Sequence, residues 1–363
     1  MIIITKKLKN IAYIFFIILM GIAFFTNVEN TFEFVKIGLQ FSFGSLIPSI
    51  FFPMIFFSFI LYTKAFEGVF ERLPNKAVSF LGICRKYFLY VLLSSMCGFL
   101  TGPKLICEDY DKNGGDDDEF SNAIILSSNA GLGFLISFLG NKIWGNIWFG
   151  IYLFLIQILT SLLLGKLLFL KKNSSENFNN QSLNSDKISI QNSLVKAISS
   201  TSYTMISVCG FVTFFTVICE ILATNLRFEK GSFLYSLIYV ICEFSKGTSL
   251  ALSVDNLFLA SFLTGFCIGF GGICVHFQTF AICENHPLNK KMFVLFKICH
   301  GLICGFLSFL FVFTTKIEPR KNAFLIESDT KTSAFYCILL IVLFVSSIIF
   351  HIIRKKFRNN IDF

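Results

Sequence analysis

The chain has 363 residues, of which 55% are hydrophobic, and its mean hydropathy is +0.72. These values exclude an ordinary soluble domain, and apolar runs of membrane-spanning length recur along the chain, which predicts an all-α, polytopic helical membrane protein embedded in a lipid bilayer. The net charge of +9 comes from basic clusters between the apolar runs, and no basic surface interleaved with aromatic residues is visible, so the composition argues against a nucleic-acid partner.

The basic residues at the two ends of the chain predict its orientation. Lys6, Lys7 and Lys9 precede the first apolar run, residues 11–26, and the basic run 354–358 follows the last one. The positive-inside rule places both termini on the cytoplasmic side of a cell membrane that the chain crosses several times. No small-residue cleavage site follows the first run, so we interpret residues 1–31 as a retained N-terminal transmembrane helix.

Residues 32–170 predict a first membrane half that contains interrupted helices. The apolar run 32–63 is too long for one plain helix. It contains Gly44, Pro48 and Pro53, and residues of these types interrupt helices. The run therefore predicts a half-helix that leads into a second span.

Two shorter apolar runs in this half stop at polar motifs that contain glycine. The run 87–100 ends at Thr101–Lys104. About 14 residues at about 1.5 Å each cannot cross roughly 30 Å of hydrocarbon, which predicts a broken or re-entrant segment. The run 120–140 is interrupted at Ser127–Gly131, and a long regular span, 144–170, completes the half.

A polar linker, residues 171–193, separates this half from a second half, residues 194–315, in which the same order of elements recurs. A short apolar run stops at Glu243–Gly247, and a later run breaks at Gly269–Gly272. Residues 316–363 predict a C-terminal loop, a transmembrane helix and a basic tail. Paired, short, glycine-interrupted segments at corresponding places in two related halves indicate a binding site of the transporter kind near the membrane midplane.

The residues at these interruptions are candidates for substrate binding. Lipid offers no hydrogen bonds, so irregular backbone at membrane depth persists only where it is buried in protein or lines a wet cavity. Free backbone N–H groups at such a break bind anions, and a lysine adds positive charge. His276 and Gln278 have the strongest case because they directly follow the glycines. The full set of candidates is Gly102, Lys104, Ser128, Asn129, Gly131, Glu243, Lys246, Gly247, Gly271, Gly272, His276 and Gln278.

Each candidate also has a purely structural interpretation. The Gly-Pro pair before Lys104 would end a helix while the lysine reaches the interface. Asn129 would join neighbouring helices through hydrogen bonds, and Glu243 and Lys246 would form an ion pair or an interfacial helix end. For Glu220, at the end of a span, an interfacial position is the better expectation.

Enzymatic and metal-dependent functions have no support in the sequence. The twelve cysteines include no C-x-x-C pair and are best interpreted as small buried residues. We find no phosphate-binding loop, zinc-protease motif, dinucleotide fingerprint or nucleophile elbow, and no clustered metal ligands. We therefore expect neither an enzyme nor a bound cofactor or metal.

Four stretches resemble the nucleoside-recognition, or Gate-domain, membrane proteins, and most closely the YlbJ-like sporulation integral membrane protein family. They are GLQFSFGSLIP from Gly38, GFLTGPK from Gly98, NAGLGF from Asn129 with SFLG from Ser137, and GFGGICVHFQ from Gly269. The last stretch is the most specific, and the resemblance covers about residues 30–315. The chain departs from the family pattern at Leu100, Pro103 and Leu132, which bears on the shape of the first half of the site.

The resemblance implies a multi-pass protein of the cell membrane or a forespore membrane that moves a small molecule during sporulation. Dipicolinate is the substrate that the family suggests, and a nucleoside or another small molecule is the alternative. A non-transporting structural or assembly protein of the spore membrane is an alternative of a different class. A homo-oligomer is compatible with all of these interpretations.

Overall fold

The computed structural model describes residues 28–63, 81–169 and 189–317, together with the single positions 21, 24, 25 and 319. All regular elements within these ranges are helices. Five of the described helices are long and apolar enough to cross a membrane. The predicted all-α membrane protein is therefore confirmed at this level, whereas its division into two related halves stays a prediction.

The first long helix, α1 (Val28–Tyr62), is continuous where the sequence predicted a break. Its turn Ser42–Leu46 is π-helical, with Pro48 and Pro53 following inside the same helix. A π turn pairs each carbonyl with the N–H five residues later, so the helix can adjust its bonding ahead of a proline that has no N–H. The predicted half-helix is thus wrong, because the local π-helical turn lets one helix continue past both prolines.

Four short helices and one long helix occupy the next described range. The short helices do not continue into one another, and residues 98–100 and 128–131 lie outside them. The motif that starts at Thr101 begins a helix rather than only ending one, because proline is tolerated in the first turn. The five helices are α2 (Arg85–Cys97), α3 (Thr101–Asn113), α4 (Asp117–Ser127), the π-helical α5 (Phe134–Ile143) and α6 (Ile147–Leu168).

The last described range contains three long apolar segments with two short helices between them. The segment Leu257–Ile282 is long enough to span a membrane and changes direction at Gly271, whose φ is 81°. A 3₁₀ turn, Ala251–Ser253, follows the second short helix. The elements are α7 (Ile190–Asn225), α8 (Phe233–Cys242), α9 (Phe244–Leu250), α10 (Leu257–Phe270), α11 (Gly272–Ile282) and α12 (Lys290–Thr315).

Helices α10 and α12 pack along each other through small residues. A Cβ atom added to Gly269 would lie 2.8 Å from the Cα atom of Gly301, and one added to Gly305 would lie 2.9 Å from the carbonyl oxygen of Phe262. Small residues allow membrane helices to approach this closely, and the approach maximises van der Waals contact where lipid supplies no hydrophobic driving force.

One buried apolar cluster joins the elements before residue 170 to those after residue 189. It includes Phe138 of α5 and Phe149 of α6, together with Leu263 and Ile268 of α10 and Val312 of α12. The two parts of the chain therefore share a core. The predicted segments 11–26, 171–193 and 316–363 lie largely or wholly outside the described residues, and the predicted boundaries of the halves stay predictions.

Candidate functional site

Four helix interruptions in the described part of the chain meet around one cavity. The first break is residues 98–100, between α2 and α3, and the second is residues 128–131, between α4 and α5. The third lies at Glu243, between α8 and α9, and the fourth at Gly271, between α10 and α11. Residues of the first three breaks line one cavity together with Cys274, Val275 and Gln278 of α11, the helix that follows the fourth break, and residues of α1 and α7 complete the lining.

The first and second breaks touch through glycine backbone. Gly98 has a φ of 126°, which L-residues with side chains rarely adopt. A Cβ atom added to Gly131 would come within 2.7 Å of the carbonyl oxygen of Cys97. Glycine is therefore required at both positions, at one for its backbone conformation and at the other for space.

The third and fourth breaks approach each other in a similar way. Gly271 and Gly272 have φ values of 81° and 71°. A Cβ atom added to Gly272 would lie 3.0 Å from the backbone nitrogen of Phe244 and 3.3 Å from the carbonyl oxygen of Cys242. The two predicted candidates Gly271 and Gly272 thus set the path of the chain at the fourth break rather than lining the cavity.

Three phenylalanines, here called the aromatic cluster, connect the two pairs of breaks. The ring centroid of Phe99 lies 4.8 Å from that of Phe244 in an edge-to-face arrangement, and the ring of Phe134 lies 4.5 Å from that of Phe244. All three side chains belong to the cavity lining. The cavity therefore offers aromatic surface at the point where the first, second and third breaks meet.

Few polar side chains line the cavity, and the carboxylate among them is already satisfied. The Glu243 side chain is 1% exposed and caps α9, accepting hydrogen bonds from the backbone nitrogens of Ser245 at 2.9 Å and Lys246 at 2.6 Å. Gln278 of α11 also lines the cavity, and its Nε2 donates to Sγ of Cys274 at 3.5 Å. Thr204 and Ser245 add hydroxyl groups.

The backbone of the second break is held by a side-chain amide from α6. Nε2 of Gln157 donates to the carbonyl oxygen of Ala130 at 2.6 Å, and the backbone nitrogen of Ala130 donates to Oε1 of Gln157 at 3.2 Å. The predicted candidate Asn129 belongs to the same break, and its Nδ2 donates to the carbonyl oxygen of Leu126 at 2.8 Å and to Oγ of Ser95 at 3.3 Å. Asn129 is 1% exposed and lies outside the cavity lining.

A buried lysine that the sequence reasoning missed also reaches the second break. Lys297 of α12 has no solvent exposure, and its Nζ donates to the carbonyl oxygen of Ser128. The same nitrogen lies 5.7 Å from the centroid of the Phe99 ring, which lines the cavity. The Ser128 hydroxyl in turn lies 3.5 Å from Oγ1 of Thr279.

The predicted candidate His276 lies on a different face of α11 from the cavity. Its ring is 5% exposed and packs among aromatic rings, with centroid distances of 4.7 Å to Phe270, 5.2 Å to Phe293 and 6.3 Å to Phe280. Its Nε2 is buried and has no hydrogen-bond partner among the described residues. His276 and Gln278, two residues apart on one helix, therefore face different surroundings.

The two lysines predicted from the sequence have partners away from the cavity. Nζ of Lys104 donates to Oγ of Ser200 on α7 at 3.2 Å. Nζ of Lys246 lies 3.3 Å from Oε1 of Glu220 and 3.0 Å from the hydroxyl of Tyr239. Glu220 is 2% exposed and also accepts a hydrogen bond from Tyr235, so its carboxylate is buried within the protein, while the interfacial depth expected for it stays a prediction. Its charge and hydrogen-bonding needs are met inside the protein.

The remaining candidate glycines allow close helix contacts. A Cβ atom added to Gly102 would lie 2.5 Å from Cβ of Ser127, and one added to Gly247 would lie 2.7 Å from the carbonyl oxygen of Tyr239. Of the twelve predicted residues, the structure thus brings Gly131, Glu243 and Gln278 to the cavity itself. No group of three or more potential metal ligands occurs among the described residues.

Comparison with known proteins adds no relative. No protein-family model matches the chain, and neither a curated protein nor a solved structure does.

Proposed function

We propose that the chain is a membrane transporter that binds a small molecule in the cavity between the four helix breaks. The observation that carries the proposal is the convergence of these breaks on one cavity. Broken helices at membrane depth are tolerated where they are buried or line a cavity, and many transporters place their substrate at such points. The chain would then be a multi-pass protein of the cell membrane, with both termini in the cytoplasm.

In this proposal the two pairs of breaks are corresponding parts of two related halves. The first pair comes from residues before the polar linker and the second pair from residues after it. The aromatic cluster lies where the pairs meet, and the halves would rock about the bound substrate to open the cavity to one side of the membrane and then to the other. The glycines at the breaks would supply backbone conformations that other residues resist.

The lining of the cavity favours a small, flat substrate. Three phenylalanine rings offer surfaces for an aromatic molecule, and the side chains of Gln278, Thr204 and Ser245 offer a few hydrogen bonds. Ligand sites typically combine such apolar walls with a small number of well-placed polar groups. Dipicolinate, the substrate implied by the family resemblance, is a planar aromatic dianion and is our first candidate.

A nucleoside is the second candidate, and the charge of the lining favours it. Among the described residues that line the cavity there is no lysine, arginine or histidine. The N-terminal N–H groups of α9 are also occupied by Glu243 and are not free for an anion. A described cation that contacts a lining side chain is Lys297, whose Nζ lies 5.7 Å from the centroid of the Phe99 ring. A dianion would therefore depend on Lys297, whereas a neutral nucleoside would not.

The experiment that tests the proposal is uptake of labelled dipicolinate and, separately, of a labelled nucleoside into proteoliposomes that contain the purified protein. Thr204→Trp places a large ring in the cavity, and we expect it to abolish saturable uptake. Tyr203→Trp is the matched control, because the side chain at this neighbouring position is 55% exposed on the surface of α7. We expect this control to transport like the wild type.

The outcomes separate the candidates. Saturable uptake of one compound that Thr204→Trp loses and Tyr203→Trp keeps would support transport through this cavity and identify the substrate class. Uptake that Thr204→Trp retains would place the pathway elsewhere. A monodisperse wild-type protein that takes up neither compound would contradict both substrates and favour a structural protein of the spore membrane.

A further inference from the structure

We infer that Lys297 is the proton-binding group that couples transport to a proton gradient. The inference rests on the proposed transport function and adds the coupling ion and the residue that carries it. Lys297 belongs to α12, outside the cavity lining, and none of the four break motifs contains it.

The surroundings of Lys297 do not neutralise a positive charge. Its side chain is fully buried, and no described carboxylate lies within ion-pair distance of its Nζ. The carbonyl oxygen of Ser128 and the face of the Phe99 ring each stabilise an ammonium group, but neither carries a full negative charge. An ammonium without a counter-ion is costly to bury, so protonation of Lys297 strongly changes the free energy of the enclosed conformation.

The titratable neighbours of Lys297 do not supply the missing charge. His276 of α11 and His300 of α12 are close enough for the lysine charge to act on them, and Cys304 of α12 acts on the lysine. The titratable side chain of α10 is the Cys267 thiol, which donates to the carbonyl oxygens of Val240 and Phe244. At neutral pH, histidines and buried thiols carry no negative charge.

Lys297 is also connected to the parts of the protein that must move. Its hydrogen-bond acceptor, Ser128, belongs to the second break, and the ring beneath its Nζ, Phe99, belongs to the first. Any rearrangement of either break that opens the cavity changes the environment of the amine. Protonation of Lys297 and the conformation of the two breaks are therefore thermodynamically linked, and each biases the other by the same free energy.

The coupling step itself is a simple proton transfer. In a conformation that admits water from one side, the amine lone pair takes a proton from that side and the lysine becomes an ammonium. Opening to the other side returns the proton to water there, so each transfer exchanges one N–H bond for one O–H bond. With an anionic substrate, the proton on Lys297 offsets one negative charge during the crossing.

The test separates coupling from transport by measuring counterflow and gradient-driven accumulation in the same proteoliposomes. Counterflow exchanges labelled for unlabelled substrate and requires no net proton movement. The probe is labelled dipicolinate, or a labelled nucleoside where the wild type exchanges that compound instead. The variants are Lys297→Gln and Lys297→Met, and the matched control is Lys291→Gln, an exposed lysine on the same helix.

We expect the wild type and Lys291→Gln to accumulate the probe when a pH gradient is imposed, and both Lys297 variants to lose accumulation while they keep counterflow. The inference would be overturned if either Lys297 variant accumulated the probe. It would also be overturned if accumulation by the wild type did not depend on the pH gradient. A monodisperse Lys297→Met that also lacks counterflow would overturn it in favour of a role in substrate binding. Absence of counterflow by the wild type would instead contradict the proposed transport function.

Discussion

The side chain of Gln157 bonds to both backbone polar groups of Ala130, as a neighbouring strand or helix turn would. Ala130 lies in the second break, where the chain has left α4 and not yet entered α5, and it is fully buried. A buried backbone group without a partner is costly, and here one amide supplies both an acceptor and a donor. The second break is thus held from α6, a helix that the sequence presents as a regular span.

We predict that Gln157→Leu destabilises the protein. The variant keeps a side chain of similar size but leaves the N–H and the carbonyl of Ala130 unpaired, at a cost of about 1–3 kcal/mol for each group. The measurement is the melting temperature of the detergent-solubilised protein. Gln191→Leu, at an exposed position on α7, is the control and should melt like the wild type. Equal melting temperatures for both variants would show that the amide contributes nothing to stability.

We predict that Gly131→Ala impairs both folding and transport. The added methyl group would lie 2.7 Å from the carbonyl oxygen of Cys97, which forces the first and second breaks apart. The control is Gly210→Ala in α7, where no atom lies within 4 Å of the added Cβ. This control should be neutral or gain up to about 1 kcal/mol from helix propensity. Melting temperature and uptake are measured for both, and unimpaired Gly131→Ala would contradict the tight contact.

We predict that the buried pair of Glu220 and Lys246 is sensitive to the loss of one partner. Lys246→Met leaves the carboxylate of Glu220 buried with only tyrosine hydroxyls, and such a loss typically costs about 3–5 kcal/mol. The double variant Lys246→Met with Glu220→Gln removes both charges and should recover much of the stability. The exposed pair of Glu33 and Lys36 is the control, because Glu33→Gln should cost no more than about 1 kcal/mol.

Thermal unfolding in detergent reports these differences. A single variant, Lys246→Met, that melts with the wild type would show that Glu220 does not need the lysine. A double variant no more stable than the single one would show that packing, and not charge, limits stability at this point.

We predict that Glu119→Gln stabilises the protein at neutral pH. Glu119 lies in the first turn of α4, outside the candidate spans, and burial together with the charge of Asp116 raises the pKa of its carboxyl group. Because this pKa is raised in the folded state, ionisation of Glu119 costs more free energy in the folded protein than in the unfolded chain. The wild type therefore has its full stability below the pKa of the unfolded chain and loses stability as the pH rises through the folded pKa.

The advantage of Glu119→Gln should therefore be largest at neutral pH and vanish below about pH 4, where the unfolded glutamate is also protonated. Melting temperatures across this pH range provide the check. The control is Glu284→Gln, at an exposed position just after α11. A difference between Glu119→Gln and the wild type that does not change with pH would contradict the role of ionisation.

The interruptions of the helices could be predicted from the sequence because they depend on local signals. Glycines with positive φ, such as Gly98 and Gly271, mark places where the chain must turn, and these residues stand out within apolar runs. The continuity of α1 could not be predicted in the same way. Pro48 and Pro53 are strong breakers by themselves, and only the π-helical turn before them shows how the helix continues.

The burial of individual polar side chains could not be predicted from the sequence. Gln157 and Lys297 lie inside regular helices away from the helix breaks, and their burial depends on which face of each helix packs inward. His276 and Gln278 follow the same glycines, but one faces aromatic rings and the other faces the cavity. The spacing of residues in the sequence predicts where the helix breaks, whereas the direction in which each side chain points is known only from the packed structure.

The close packing of α10 against α12 restricts which parts of the protein can move. Their backbones touch through Gly269 and Gly301, so sliding one helix past the other would drive backbone atoms into side chains such as Phe262. The two helices must therefore shift as a rigid unit, and they carry Lys297 and the glycine turn at Gly271 with them. In the proposed transport cycle, spin labels placed on α10 and α12 should keep a fixed separation while the distance from either helix to α1 changes.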